Sequence, residues 1–77
     1  MKALPTDWIA EETITNVRYI VDLNYNVWDM EKEEKIYHET GVGEIDLRDV
    51  IQGETTWENS EEPFTFRDFL AEVLEVF

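Results

Sequence analysis

The clearest pattern of apolar and polar positions runs from Val17 to Val27, where Val17, Tyr19, Val21, Leu23, Tyr25 and Val27 alternate with Arg18, Ile20, Asp22, Asn24 and Asn26. A period of two sends successive side chains to opposite faces, so the run predicts one long β-strand with an apolar face. The polar stretch 29–34 interrupts the alternation and 35–42 resumes it, which predicts a β-hairpin. A turn centred between Glu31 and Lys32 pairs Val27 with Ile36, Tyr25 with His38, Leu23 with Thr40 and Val21 with Val42, all on one face. Sliding the register by one residue takes Ile36 and Val42 off the apolar side, which the period of two penalises.

Beyond Gly43 the spacing turns helical. Asp46 stands as an N-cap acid before Leu47, Val50 and Ile51, and Gly53 marks a stop, so a helix of about two turns is expected there. The segment 54–58 has the Thr and Trp of a short third strand, and 59–63 is a polar loop closed by Pro63. Thr65 and Asp68 have the spacing of a capping box, and Phe66, Phe69, Leu70, Val73, Leu74 and Phe77 repeat at helical intervals, predicting an amphipathic helix over 66–77. At the other end, 6–12 favours a turn of helix that leads into the long strand near 13–15. The hairpin and the last helix each have one apolar stripe that needs a cover. The expected fold is therefore α+β: a small antiparallel sheet, built on the long hairpin, packed against the C-terminal amphipathic helix. With 77 residues the chain has room for one domain, 1–77.

Composition narrows the chemistry. Hydrophobic residues make up 43% of the chain, enough to fold despite 32% charged residues. Cysteine is absent, which removes disulfides, thiolate nucleophiles and Cys-based metal sites. No 18-residue apolar run occurs, and Pro5 breaks the start before a signal-peptide core forms, so a cytoplasmic protein with no membrane partner is expected.

Catalytic, cofactor and metal sites are not expected. His38 is the single histidine, and its neighbour Glu39 points to the opposite face of its strand, leaving it without a catalytic partner. Asp29, Glu31, Glu33 and Glu34 mimic a calcium loop only superficially, because Glu34 stands where such a loop needs glycine. Gly41, Gly43 and Gly53 do not form a phosphate-binding loop, and no apolar pocket is evident to raise a carboxyl pKa for acid–base work. An enzyme is not expected.

Charge is the main functional signal. Nineteen Asp and Glu face six Lys and Arg, a net charge of −13, which excludes direct nucleic-acid binding and calls for a basic partner. Solubility alone needs a net charge of only ~2–8 in magnitude. A domain studded with carboxylates can copy the phosphate lattice of DNA and occupy the groove of a basic nucleic-acid-binding protein, with apolar anchors lengthening the contact. Two candidate contact centres follow. The favoured one joins Glu11, Glu12 and Ile14 to Trp28, pairing charge with apolar side chains; the other is the acidic face of Glu61, Glu62, Asp68, Glu72 and Glu75 around the last helix.

Small, cysteine-free, strongly acidic α+β chains of this kind resemble the phage-encoded DNA-mimic inhibitors: uracil-DNA glycosylase inhibitors, anti-CRISPR and anti-restriction proteins. Glu12-Thr13-Ile14 resembles the Glu-Ser-Ile strand that the uracil-DNA glycosylase inhibitors insert in their target's groove, and the strand, acidic turn and return strand that follow resemble that family's hairpin. The Phe-rich C-terminal helix departs from that family's strand-rich end. The resemblance implies an inhibitor of a nucleic-acid enzyme, for example a glycosylase or a CRISPR or restriction nuclease, acting in the host cell. The alternatives are an immunity-type protein that neutralises a basic toxin nuclease, and an acidic structural or interaction module.

Overall fold

Three short turns decide the first half of the chain. In the computed structural model, which describes residues 4–38 and 45–76, Thr15 and Asn16 both have left-handed φ, 51° and 66°. Left-handed φ at both central residues is what a two-residue hairpin loop needs to match strand twist. Strand β1 (Trp8–Ile14) therefore folds back antiparallel onto β2 (Val17–Asp22), with Ile14 opposite Val17 and Thr13 opposite Arg18. The expected turn of helix over 6–12 is thus a strand instead. Its pairing slips once, between Trp8 and Ala10.

The expected long strand is also corrected, for it breaks at Asp22. The Asp22 carboxylate accepts the backbone N–H groups of Asn24 and Asn26 at 2.8 and 3.0 Å, and Tyr25 takes φ 62°. An Asp side chain that satisfies the next few N–H groups offers the backbone a turn in place of a ladder. The chain reverses there into β3 (Val27–Asp29), which sets Ile20 opposite Trp28 and Val21 opposite Val27.

Asp29 repeats the device, accepting Glu31 N–H and Lys32 N–H at 3.0 Å each, and Glu33 at φ 58° completes the turn into β4 (Glu34–Tyr37). Near this turn the expected register holds, with Trp28 opposite Lys35 and Asp29 opposite Glu34. A bulge then sets Val27 against Tyr37 rather than Ile36. The pair Tyr25–His38 does not form, because Tyr25 belongs to the preceding turn; Leu23 lies in the same turn and is 59% exposed. Val21 pairs with Ala10 and Val27. Thr40 and Val42, the expected partners of Leu23 and Val21, lie outside the described residues, as do Gly41, Gly43 and Phe77.

The sheet is a four-stranded antiparallel meander in the order β1-β2-β3-β4. Strand β2 is central and buried on both faces: Tyr19 and Val21 on one, Ile20 and Asp22 on the other. The single apolar face expected from the alternation is corrected accordingly.

The second half follows its caps. Asp46 Oδ1 accepts Arg48 N–H at 2.8 Å and opens α1 (Leu47–Gln52), which ends at Gly53 with φ 77°. Only glycine takes that left-handed position without a steric penalty. The expected third strand is reduced to one antiparallel bridge, Thr56 with Pro63. Thr65 and Asp68 form the full capping box, Asp68 Oδ2 accepting Thr65 N–H at 2.9 Å and Thr65 Oγ1 accepting Asp68 N–H at 3.3 Å. Helix α2 (Phe66–Glu72) is shorter than the predicted 66–77: the ladder gives way after Val73, Glu75 turns left-handed at φ 52°, and Val76 N–H reaches back to the Leu70 carbonyl.

Backbone contacts divide the chain into two compact units, Met1–Thr40 and Gly41–Phe77. The first holds the sheet, with Ile14, Tyr19, Ile20, Val21 and Val27 buried. The second packs α1 on α2 around Leu47, Val50, Phe64, Phe66, Phe69 and Leu70. The architecture is α+β. Within its own unit the apolar stripe of α2 meets α1; the expected cover of the sheet by this helix concerns contact between the units.

Candidate functional site

Six aspartates and thirteen glutamates make up the acidic residues, and the fold uses the two types differently. Asp22 and Asp29 are buried and organise turns, while Asp46 and Asp68 cap helices. A short carboxylate reaches its own backbone, and the extra methylene of Glu favours solvent instead. Among the described glutamates all but Glu12 are exposed. The exposed charge is therefore mostly glutamate, joined by Asp7 and Asp49.

In the favoured centre, the β1–β2 register places Glu11 on one face of the sheet, with Ile20 and Trp28, and Glu12 and Ile14 on the other. Glu11 accepts a 2.8 Å hydrogen bond from Arg18 Nε, whose guanidinium also lies 4.6 Å from the Trp8 ring centroid. Trp28 donates its Nε1–H to Asp22 at 2.9 Å and carries Lys35 Nζ over its ring at 5.5 Å. Ile14 is buried in the core. These four residues are not one constellation: a cation accompanies Glu11, Ile14 is internal, and both Trp28 contacts are within the chain.

The second centre keeps most of its charge. Glu61 and Glu62 lie in the loop between Thr56 and Pro63, which is closed by Trp57 N–H to the Glu62 carbonyl at 3.0 Å and Phe64 N–H to the Thr55 carbonyl at 2.8 Å. This closure sets Trp57 edge-on to Phe64, with ring centroids 4.8 Å apart. Glu61, Glu62, Glu72 and Glu75 are exposed, and no cation pairs with them among the described residues. Asp68 belongs to the helix cap rather than to the free surface.

Beside this acidic face the second unit forms a cleft of about 390 Å³, walled by Ile45, Trp57 and Phe64 and flanked by Glu58 and Glu72. Of these only Glu72 was predictable as a site residue. The missed signal was the spacing of Trp57 and Phe64 about the polar loop, which a closed turn brings together.

Burial, then the carboxylates of Asp29 and Glu31, push the Tyr19 phenol above its ordinary pKa, so it stays neutral. His38 follows β4 in an exposed position. No group of three or more His, Asp or Glu is placed to hold a metal ion among the described residues, and no helix there is long and apolar enough to cross a membrane. Compared with protein families, curated proteins and solved structures, the chain matches none.

Proposed function

We propose that this chain is an acidic DNA mimic that binds a basic nucleic-acid-binding enzyme in the groove used for DNA or RNA, and inhibits it by occupancy. One observation carries the reading: the second unit has a net charge of −8, and its glutamates at 54, 58, 61, 62, 72 and 75 are exposed without a pairing cation among the described residues. Such a surface raises the local concentration of a basic partner and steers its approach. At these six glutamates the charge is displayed rather than neutralised among the described residues. The contact centre moves accordingly from Glu11, Glu12, Ile14 and Trp28 to the face of Glu61, Glu62, Glu72 and Glu75, joined by Glu58.

The test is competition. Nucleic-acid-binding proteins of the host are captured at low salt on the immobilised chain and challenged with duplex DNA, then with RNA. Mimicry expects displacement by one of the two, and at least ~10-fold weaker binding on going from about 50 to 200 mM salt. A captured enzyme that holds nucleic acid and this chain together, and stays active, overturns the reading.

A further inference from the structure

The chain has three tryptophans, and two of them already carry a cation. Arg18 lies over Trp8 and Lys35 over Trp28, whereas Trp57 has Phe64 as its ring partner and no cation over it among the described residues. Trp57 is instead a wall of the cleft whose rim bears Glu58 and Glu72. Those two carboxylates have no pairing cation among the described residues either. An aromatic and aliphatic wall in a cleft that two carboxylates also line describes an occupant that is planar, cationic and weakly hydrated. A guanidinium fits that description and an ammonium does not, since an ammonium is a compact charge that keeps its water, while a guanidinium stacks on an indole and offers a fork of donors to carboxylates. At about 390 Å³ the cleft falls at the small end of the range for ligand sites, suited to one side chain rather than a cofactor.

We propose that the cleft of Trp57, Phe64 and Ile45 receives an arginine side chain of the basic partner, stacked on Trp57 and bridged by Glu58 and Glu72. The proposal rests on the mimic reading for the partner's class and adds a specific anchor to it. The anchor supplies what a field of glutamates lacks: a desolvated aromatic contact at the centre of a charged rim. It also separates arginine from lysine in the groove that is recognised.

The test titrates the full chain with hexa-arginine and with hexa-lysine at low salt, following the three indole N–H resonances by NMR, with Trp57→Phe assigning the Trp57 signal. Hexa-arginine is expected to shift the Trp57 indole and to bind at least ~10-fold more tightly than hexa-lysine. In E58Q/E72Q, a surface double variant expected to melt no lower than the wild type, the affinity should fall about 10-fold. Equal binding of the two peptides, shifts confined to Trp8 and Trp28, or an unchanged affinity in a folded E58Q/E72Q chain each overturn the assignment. The same variant in the competition assay separates the two proposals. DNA-displaceable capture that survives E58Q/E72Q undiminished removes the cleft and leaves the mimic standing. An arginine-selective cleft on a chain from which nucleic acid displaces nothing removes the mimic and leaves the cleft.

Discussion

Asp22 joins sequence to fold through one carboxylate. Its two oxygens accept four hydrogen bonds, from the backbone N–H groups of Asn24 and Asn26, from Asn26 Nδ2 at 3.1 Å and from Trp28 Nε1 at 2.9 Å. Burial, the largest single influence, raises the Asp22 pKa, but these bonds together outweigh it, and the group titrates below the ordinary carboxylate value. A depressed folded pKa means that the stabilisation is fully present above the unfolded value, about 3.9, and is lost as pH falls through the folded one. Asp22→Asn keeps the shape and removes the charge, so at neutral pH it should destabilise the chain by about 1–3 kcal/mol. The gap between the two melting curves should then narrow below about pH 4, the pH dependence of the other acids being common to both proteins. A gap that stays constant from pH 7 to pH 2 would show that the charge of Asp22 does not contribute.

At the scale of elements, the legible features were those written in residues a few positions apart along the chain. Asp46 with Gly53, and Thr65 with Asp68, fix both helix starts and one helix end from local chemistry alone. The strands were less legible because alternation continues in phase through 23–26, where the chain in fact turns. The overruling signal is Asp22 followed by Asn24 and Asn26, a turn mechanism that a hydrophobicity pattern ignores. Strand β1 was hidden for a related reason: its loop uses Thr15 and Asn16 at left-handed φ where glycine would have announced a hairpin. That loop carries strain, since a β-branched residue is poorly suited to φ 51°. Replacing Thr15 by Asn and Asn16 by Gly should stabilise the chain by roughly 1 kcal/mol, read from denaturant midpoints. A fall in the midpoint would contradict the turn geometry. In the second unit, Phe69→Ala should cost about 3–5 kcal/mol, because Phe69 is fully buried where α1 meets α2. An unchanged melting temperature would reject that packing.

Over the whole molecule the net charge acts twice, with opposite signs. Self-repulsion among like charges opposes compaction, so added salt should raise the melting temperature of the free chain. The same salt should weaken binding to a basic partner. A melting temperature that falls with moderate sodium chloride would mean that ion pairs such as Arg18–Glu11 outweigh the repulsion, contrary to the small worth of an exposed pair. The candidate site was half legible on this scale. Glu72 and the loop acids stood out by charge, but Trp57 and Phe64 come together only when the 57–62 turn closes, and no periodic pattern records that closure.

The division of labour between aspartate and glutamate bears on how such a chain evolves. Four aspartates are tied to particular N–H groups, whereas the exposed glutamates make few demands on the backbone. A lineage pursuing a changing target can therefore redraw its pattern of charge one glutamate at a time without refolding. A saturation scan scored for cellular abundance should be nearly flat at Glu54, Glu58 and Glu61 and steep at Asp22, Asp29 and Asp68, so that selection for binding and selection on the fold act on different letters of the same acidic alphabet.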